Sequence, residues 1–159
     1  MVKNFKIFQY KKEYFFVIAI GNNQVRNKLF HELEIPLEQY ATLIHPSAII
    51  SSSTEIGYGT VVMPNAVINA DTIIGNHVII NTGAIIEHDN QIGNYVHVSP
   101  NAALAGGVKV GNESHIAINS SVLPLVEIGK NCIVGAGATV INNVKSESTV
   151  IGTPAKIKE

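Results

Sequence analysis

Aliphatic residues recur along this chain with a period of six. Stepping from Ile44 gives Ile50, Ile56, Val62, Ile68, Ile74, Ile80, Ile86, Ile92, Val98, Leu104, Val110, Ile116, Val122, Ile128, Val134 and Val140, with no slip. A slower period of 18 puts glycine one residue after the anchor, at Gly57, Gly75, Gly93, Gly111 and Gly129. Four residues after each anchor the side chain is small or β-branched: Ala48, Thr54, Thr60, Ala66, Thr72, Val78, Ala84, then Val96 through Val144, with Asn90 the exception.

A period of six fits neither a helix at 3.6 nor a flat strand at two. It fits a short strand and a sharp turn, repeated. Three units return the chain to its starting side after 18 residues, and Ile and Val suit the strands. Glycine permits turn backbone at the corners. The expected fold is therefore all-β: a parallel β-helix of triangular section, a hexapeptide-repeat solenoid of five to six stacked coils over about 44 to 145. The period leaves the hand open, and general sterics favour right-handed crossovers.

The front of the chain has no such clock. "YFFVIAIGNNQVRNKLFHELEI", 14–35, reads as a buried strand, a Gly-Asn-Asn turn and an amphipathic helix with Val25, Leu29 and Leu33 on one face. This small β-α appendage divides the chain into 1–40 and a solenoid domain, 41–159. The tail "VIGTPAKIKE" leaves the clock after Val144.

Hydrophobic residues make up 46% of the 159 and charged residues 14%, with a net charge of −1. Nothing there draws the chain to nucleic acid or an anionic membrane. The longest early apolar run, "YFFVIAI", is too short to span a bilayer. Cys132 is the single cysteine, which excludes an internal disulfide and fits a reducing, cytoplasmic compartment.

Once the clock is set, histidines acquire directions, because strand neighbours of inward anchors point out. His97 and His115 precede anchors and should stack outward on successive coils. His88, two past Ile86, should reach the outside at a corner between Glu87 and Asp89. Flanking carboxylates orient an imidazole and favour its protonated form, as a general base requires. His115, His77 and His31 are expected to be plain surface residues, and Cys132 core. Two outward histidines on adjacent coils also raise a zinc site like that of hexapeptide carbonic anhydrases, but a third ligand would have to come from another subunit. A non-catalytic solenoid serving as a binding module is a further alternative.

The motifs "FFVIAIGNN", "LIHPSAIIS", "VVMPNAVINA", "NTGAIIEHDNQIGNYVHVSPNAALAGGVKVG", "INSSVLP" and "GTPAK" resemble the NeuD/PglD-type sugar O/N-acetyltransferases of the left-handed β-helix hexapeptide acyltransferase superfamily. The resemblance implies a left-handed coil, acetyl-CoA as co-substrate, no metal, a sugar acceptor and a homotrimer with sites between subunits. It implies His88 as general base, Asp89 as its support and Asn81 near the acceptor. His97 falls where a histidine meets the thioester carbonyl. Gly106, Ala117, Ile118 and Ala136 fall at coenzyme A contacts, with Ala117 standing where glycine is common. Gly21 falls at a nucleotide contact, and 1–40 reads as the remnant of an N-terminal α/β substrate-binding domain whose earlier strand and glycine-rich turn are absent.

Overall fold

The computed structural model describes residues 14–158. Two-residue strands ending on the predicted anchors begin at Leu43–Ile44 and run to Thr139–Val140. Up to Ser121–Val122, each pairs in parallel with the strand 18 residues on, as Leu43 with Val61 and His97 with His115. Three sheets form the sides of a left-handed prism. The first carries Val61–Val62, Ile79–Ile80, His97–Val98 and His115–Ile116; the second Val67–Ile68, Ile85–Ile86, Ala103–Leu104 and Ser121–Val122; the third Ile73–Ile74, Gln91–Ile92, Lys109–Val110 and Glu127–Ile128.

Anchors from Val62 to Val140 are buried in one core, with the small-residue column beside them. The first three anchors are not: Ile44 is 49% exposed, and Ile50 and Ile56 are partly buried. An end coil packs on one neighbour only.

The 18-residue glycines do a different job from the one expected. Positive φ falls three residues after the anchor, at every sixth position from Gly59 to Gly137, and mostly on Asn, Asp and other non-glycine residues. Gly57, Gly75 and Gly93 instead make room for an asparagine ladder. A Cβ on Gly75 would stand 2.5 Å from Asn94 Oδ1. That oxygen accepts the Asn76 N–H at 2.8 Å, as Asn76 Oδ1 does for Tyr58 and Asn112 Oδ1 for Asn94. Glycine there serves close approach between coils.

Two flanking expectations are corrected. After Val140 the spacing drops by two residues: Ile128 bridges Val144, and Val134 pairs with Val150. The tail thus re-enters the first sheet as Thr149–Ile151, then folds back antiparallel at Lys156–Ile157. The front segment is not a buried strand. Only a Phe16–Tyr40 bridge forms, Phe15 is 66% exposed, and Ile18 alone of its run is buried, against Ile35 and Tyr40.

The helix does form, over Asn23–Leu33, with Asn22 Oδ1 accepting the Val25 N–H as its cap. Leu29 and Leu33 pack on the small cluster, but Val25 is exposed, and the residues the helix buries are Asn23 and Arg26. Arg26 donates to the carbonyls of His77 (2.8 Å) and Tyr95 (2.7 Å), while Asn23 Nδ2 reaches those of Glu113 and Ser114. The helix therefore clamps three successive coils along the corner between the third and first sheets. Residues 1–13 of the expected appendage lie outside the described residues.

Candidate active site

His88 and Asp89 occupy the corner that follows Ile85–Ile86, between the second and third sheets. Asp89 is one of the positive-φ positions (φ 59°), which turns its side chain alongside its neighbour. His88 Nδ1 lies 2.7 Å from Asp89 Oδ2, and both side chains are exposed. With Nδ1–H donating to that carboxylate, Nε2 keeps its lone pair. The hydrogen bond to Asp89 is the main cause raising the imidazole pKa, opposed by some desolvation and helped by the charges of Asp89 and Glu87. One coil on, Gly106 lies under the ring, and the Gly107 N–H donates to the His88 carbonyl at 2.9 Å.

His97 sits on the first sheet. Its ring stacks on that of His115 at 4.9 Å and 12°, as the 18-residue spacing predicts. The pair is half-buried, however, because the segment at Gly21 lies over it. Asn81 Oδ1 accepts the Thr82 N–H at 2.8 Å, which turns Nδ2 toward His97 Nε2 at 3.1 Å. Burial first, then the charges of His115 and Arg26, lower the His97 pKa to about 4, so the ring is neutral near pH 7. His115 is lowered too, again mainly by burial, and its Nε2 lies 2.7 Å from Ser99 Oγ.

The expectation of a surface His77 is overturned. It is buried, stacked on Tyr95 with ring centres 5.3 Å apart, and neighboured by Phe30 and Tyr40. Two coils further along the same edge, a cavity of about 190 Å³ is lined by Gly21, Asn22, Gln24, Glu113, His115 and Asn131.

A family profile described as bacterial transferase hexapeptide (six repeats) matches residues 107–142. The chain is also similar to PerB from Caulobacter crescentus, solved with CoA and GDP-perosamine. Identity is 41%, covering 92% of this chain and 70% of that one, with a TM-score of 0.87. This chain belongs to the NeuD/PglD-type hexapeptide acetyltransferases. The acetyltransferase domain of PglB from Neisseria gonorrhoeae FA1090, solved with acetyl coenzyme A, is 36% identical over 89% of this chain and 69% of that domain, with a TM-score of 0.84. The UDP-N-acetylbacillosamine N-acetyltransferase of Bacillus subtilis (strain 168) is 52% identical over 42 residues, which are 26% of this chain and only 19% of that relative.

The residues that the NeuD/PglD-type resemblance picks out divide between two edges of the prism. His88, Asp89 and Gly106 share the corner between the second and third sheets. Asn81, Ala117, Ile118 and Ala136 line the corner between the first and second, with His97 and Gly21 on the first face. A corner of a triangle faces its opposite side, so one chain does not bring His88 and His97 together. Among the described residues no group of three or more His, Cys, Asp or Glu is disposed to hold a metal ion, and no helix is long and apolar enough to cross a membrane. The sequence reading passed over Arg26. The sequence marks it only as one of two cations on the helix, the other being Lys28.

Proposed function

We propose that the chain transfers acetyl from acetyl-CoA to an amine or hydroxyl of a sugar, an amino-sugar nucleotide or a sialic-acid-like acceptor, with His88 as general base. The observation that carries this is the His88–Asp89 pair, which in the neutral imidazole directs the Nε2 lone pair outward at an open corner. Nε2 takes the acceptor proton as nitrogen or oxygen bonds to the acetyl carbon. The C–S bond breaks, and the coenzyme A thiolate recovers a proton from the imidazolium. His97 and the main chain near Gly106 face the developing oxyanion. For His97 to donate there, Nε2 must carry the proton, and so must give up the bond it accepts from Asn81 in the free chain.

The working unit in this reading is a cytoplasmic homotrimer. Cyclic assembly about the second sheet brings the trailing corner of one prism against the leading corner of the next, so His88 of one subunit meets the Asn81, His97, Ala117, Ile118 and Ala136 edge of its neighbour. Outward side chains support that choice of face. The second sheet presents Ile49, Val67, Ile85, Ala103, Ser121 and Thr139, with no charge, whereas the third presents Ile73 among Glu55, Gln91, Lys109 and Glu127. The helix already lies against the first sheet's far edge.

Mixing variants tests both parts. His88→Asn cannot accept a proton at neutral pH and should lose roughly 10²–10⁴-fold in rate with acetyl-CoA affinity kept. His97→Ala should weaken binding and rate together. Subunits of the two variants, unfolded and reassembled together, should regain activity at interfaces pairing an intact His88 with an intact His97. A monomer in light scattering, or no recovery on mixing, would remove the shared site. Full activity of His88→Asn on a confirmed acceptor would remove the base.

A further inference from the structure

Asn90 alone breaks the column of small and β-branched residues that face the corners of the prism, and it follows His88 by two. It is fully buried. Its Nδ2 donates to the Glu87 carbonyl, to the Ala105 carbonyl at 3.0 Å and, more weakly, to the His88 carbonyl at 3.3 Å. Three carbonyls around one end of the amide establish which end is nitrogen.

Where the column carries threonine, or serine at 114, a hydroxyl does the sealing. Thr60 Oγ1 reaches the Gly75 carbonyl at 2.8 Å, Thr72 that of Glu87 at 2.9 Å, and Ser114 that of Gly129 at 2.7 Å, each fifteen residues on. Asn90 makes the equivalent bond to Ala105. It then reaches back to the two carbonyls that bracket the His88 peptide. The cost is a buried Oδ1 with no hydrogen-bond partner, which threonine would avoid. Closing the coil does not require the extra reach.

We infer that Asn90 is a positioning residue for His88, a role that rests on His88 being the base. Among the described residues the imidazole has one side-chain tether, the exposed Asp89. Its direction otherwise depends on the Cα–Cβ bond, which the peptide planes on either side of His88 set. Asn90 alone reaches both planes from inside the prism; Thr72 Oγ1 also holds the Glu87 carbonyl and the Gly107 N–H the His88 carbonyl. General-base catalysis is sensitive to such placement, since displacements near 1 Å cost up to about 10²-fold.

The test compares Asn90→Thr with Thr60→Val and His88→Asn, reading melting temperature, kcat and KM for acetyl-CoA. Threonine restores the seal to Ala105 but not the grip on His88. Asn90→Thr should melt like the parent, keep its KM and lose about 10- to 100-fold in kcat. Thr60→Val, which loses a corner seal remote from His88, should keep its kcat. Parent-like kcat in Asn90→Thr overturns the role, as does an equal kcat loss in Thr60→Val. If Asn90→Thr does not fold, Asn90→Ser takes its place; failure of both to fold makes Asn90 purely structural and also overturns it. An active His88→Asn condemns the base reading itself, separately from these outcomes.

Discussion

Gly106 lies directly beneath the imidazole of His88: a Cβ built there would stand 2.7 Å from the ring's Cε1 and 2.8 Å from Nε2. The Gly106 backbone is outside the left-handed region, so space, and not conformation, calls for glycine. Gly106→Ala should therefore fold, because the exposed ring can swing outward. The swing takes Nε2 off its position, and kcat should fall by as much as about 10²-fold. Unchanged melting temperature with reduced kcat is the expected pair of readings. Parent-like kcat would mean that the ring's place over Gly106 is irrelevant to catalysis.

The pH profile should carry the signature of Asp89. A base works only when deprotonated, so the rate falls as pH drops through the His88 pKa. The bond to Asp89 raises that pKa above the ordinary histidine value of 6.5. The acid limb of kcat/KM should accordingly lie above 6.5 and shift to lower pH in Asp89→Asn, which removes the main raising cause. Identical acid limbs in parent and variant would detach the titration from this pair.

His77 should make stability pH-dependent over a separate range. Burial, then the nearby Arg26 charge, lower its pKa from 6.5 to about 4. Between those values the unfolded chain binds a proton that the folded chain does not. Stability is thus present above pH 6.5 and is lost as pH falls toward 4. His97, also lowered to about 4, adds to the same loss. Thermal melts from pH 7 to pH 4 should show the decline, and His77→Phe should reduce its slope. A flat melting temperature across that range would contradict a neutral buried His77.

Leu104 is fully buried on the second sheet, one anchor among many. Leu104→Ala should cost about 2–5 kcal/mol in urea unfolding. Leu104→Asp should not fold at neutral pH, since a prism this narrow offers the carboxylate neither water nor a partner.

The anchors, the three-strand coil and the outward stacking of His97 on His115 were legible in the residues because a solenoid repeats one local environment. Each contact joins positions 18 apart, so packing appears as a period that a reader can count. The chemistry at Glu87–His88–Asp89 was legible for a similar reason: its decisive contact is between adjacent residues. The role of the 18-residue glycines was misread, because the Asn76, Asn94 and Asn112 side chains that exclude a Cβ come from the next coil.

By itself, then, the sequence determined the prism, its inward and outward sides and the His88–Asp89 pair, all through short-range or periodic contacts. Tertiary structure alone decided where the helix docks, with Arg26 on the carbonyls of His77 and Tyr95, and hence that His77 is buried and His97 half-covered. It also decided that the tail re-enters the first sheet at Val150 two residues early. Such contacts join segments with no common period, so their energy depends on shapes that exist only after the coils have stacked.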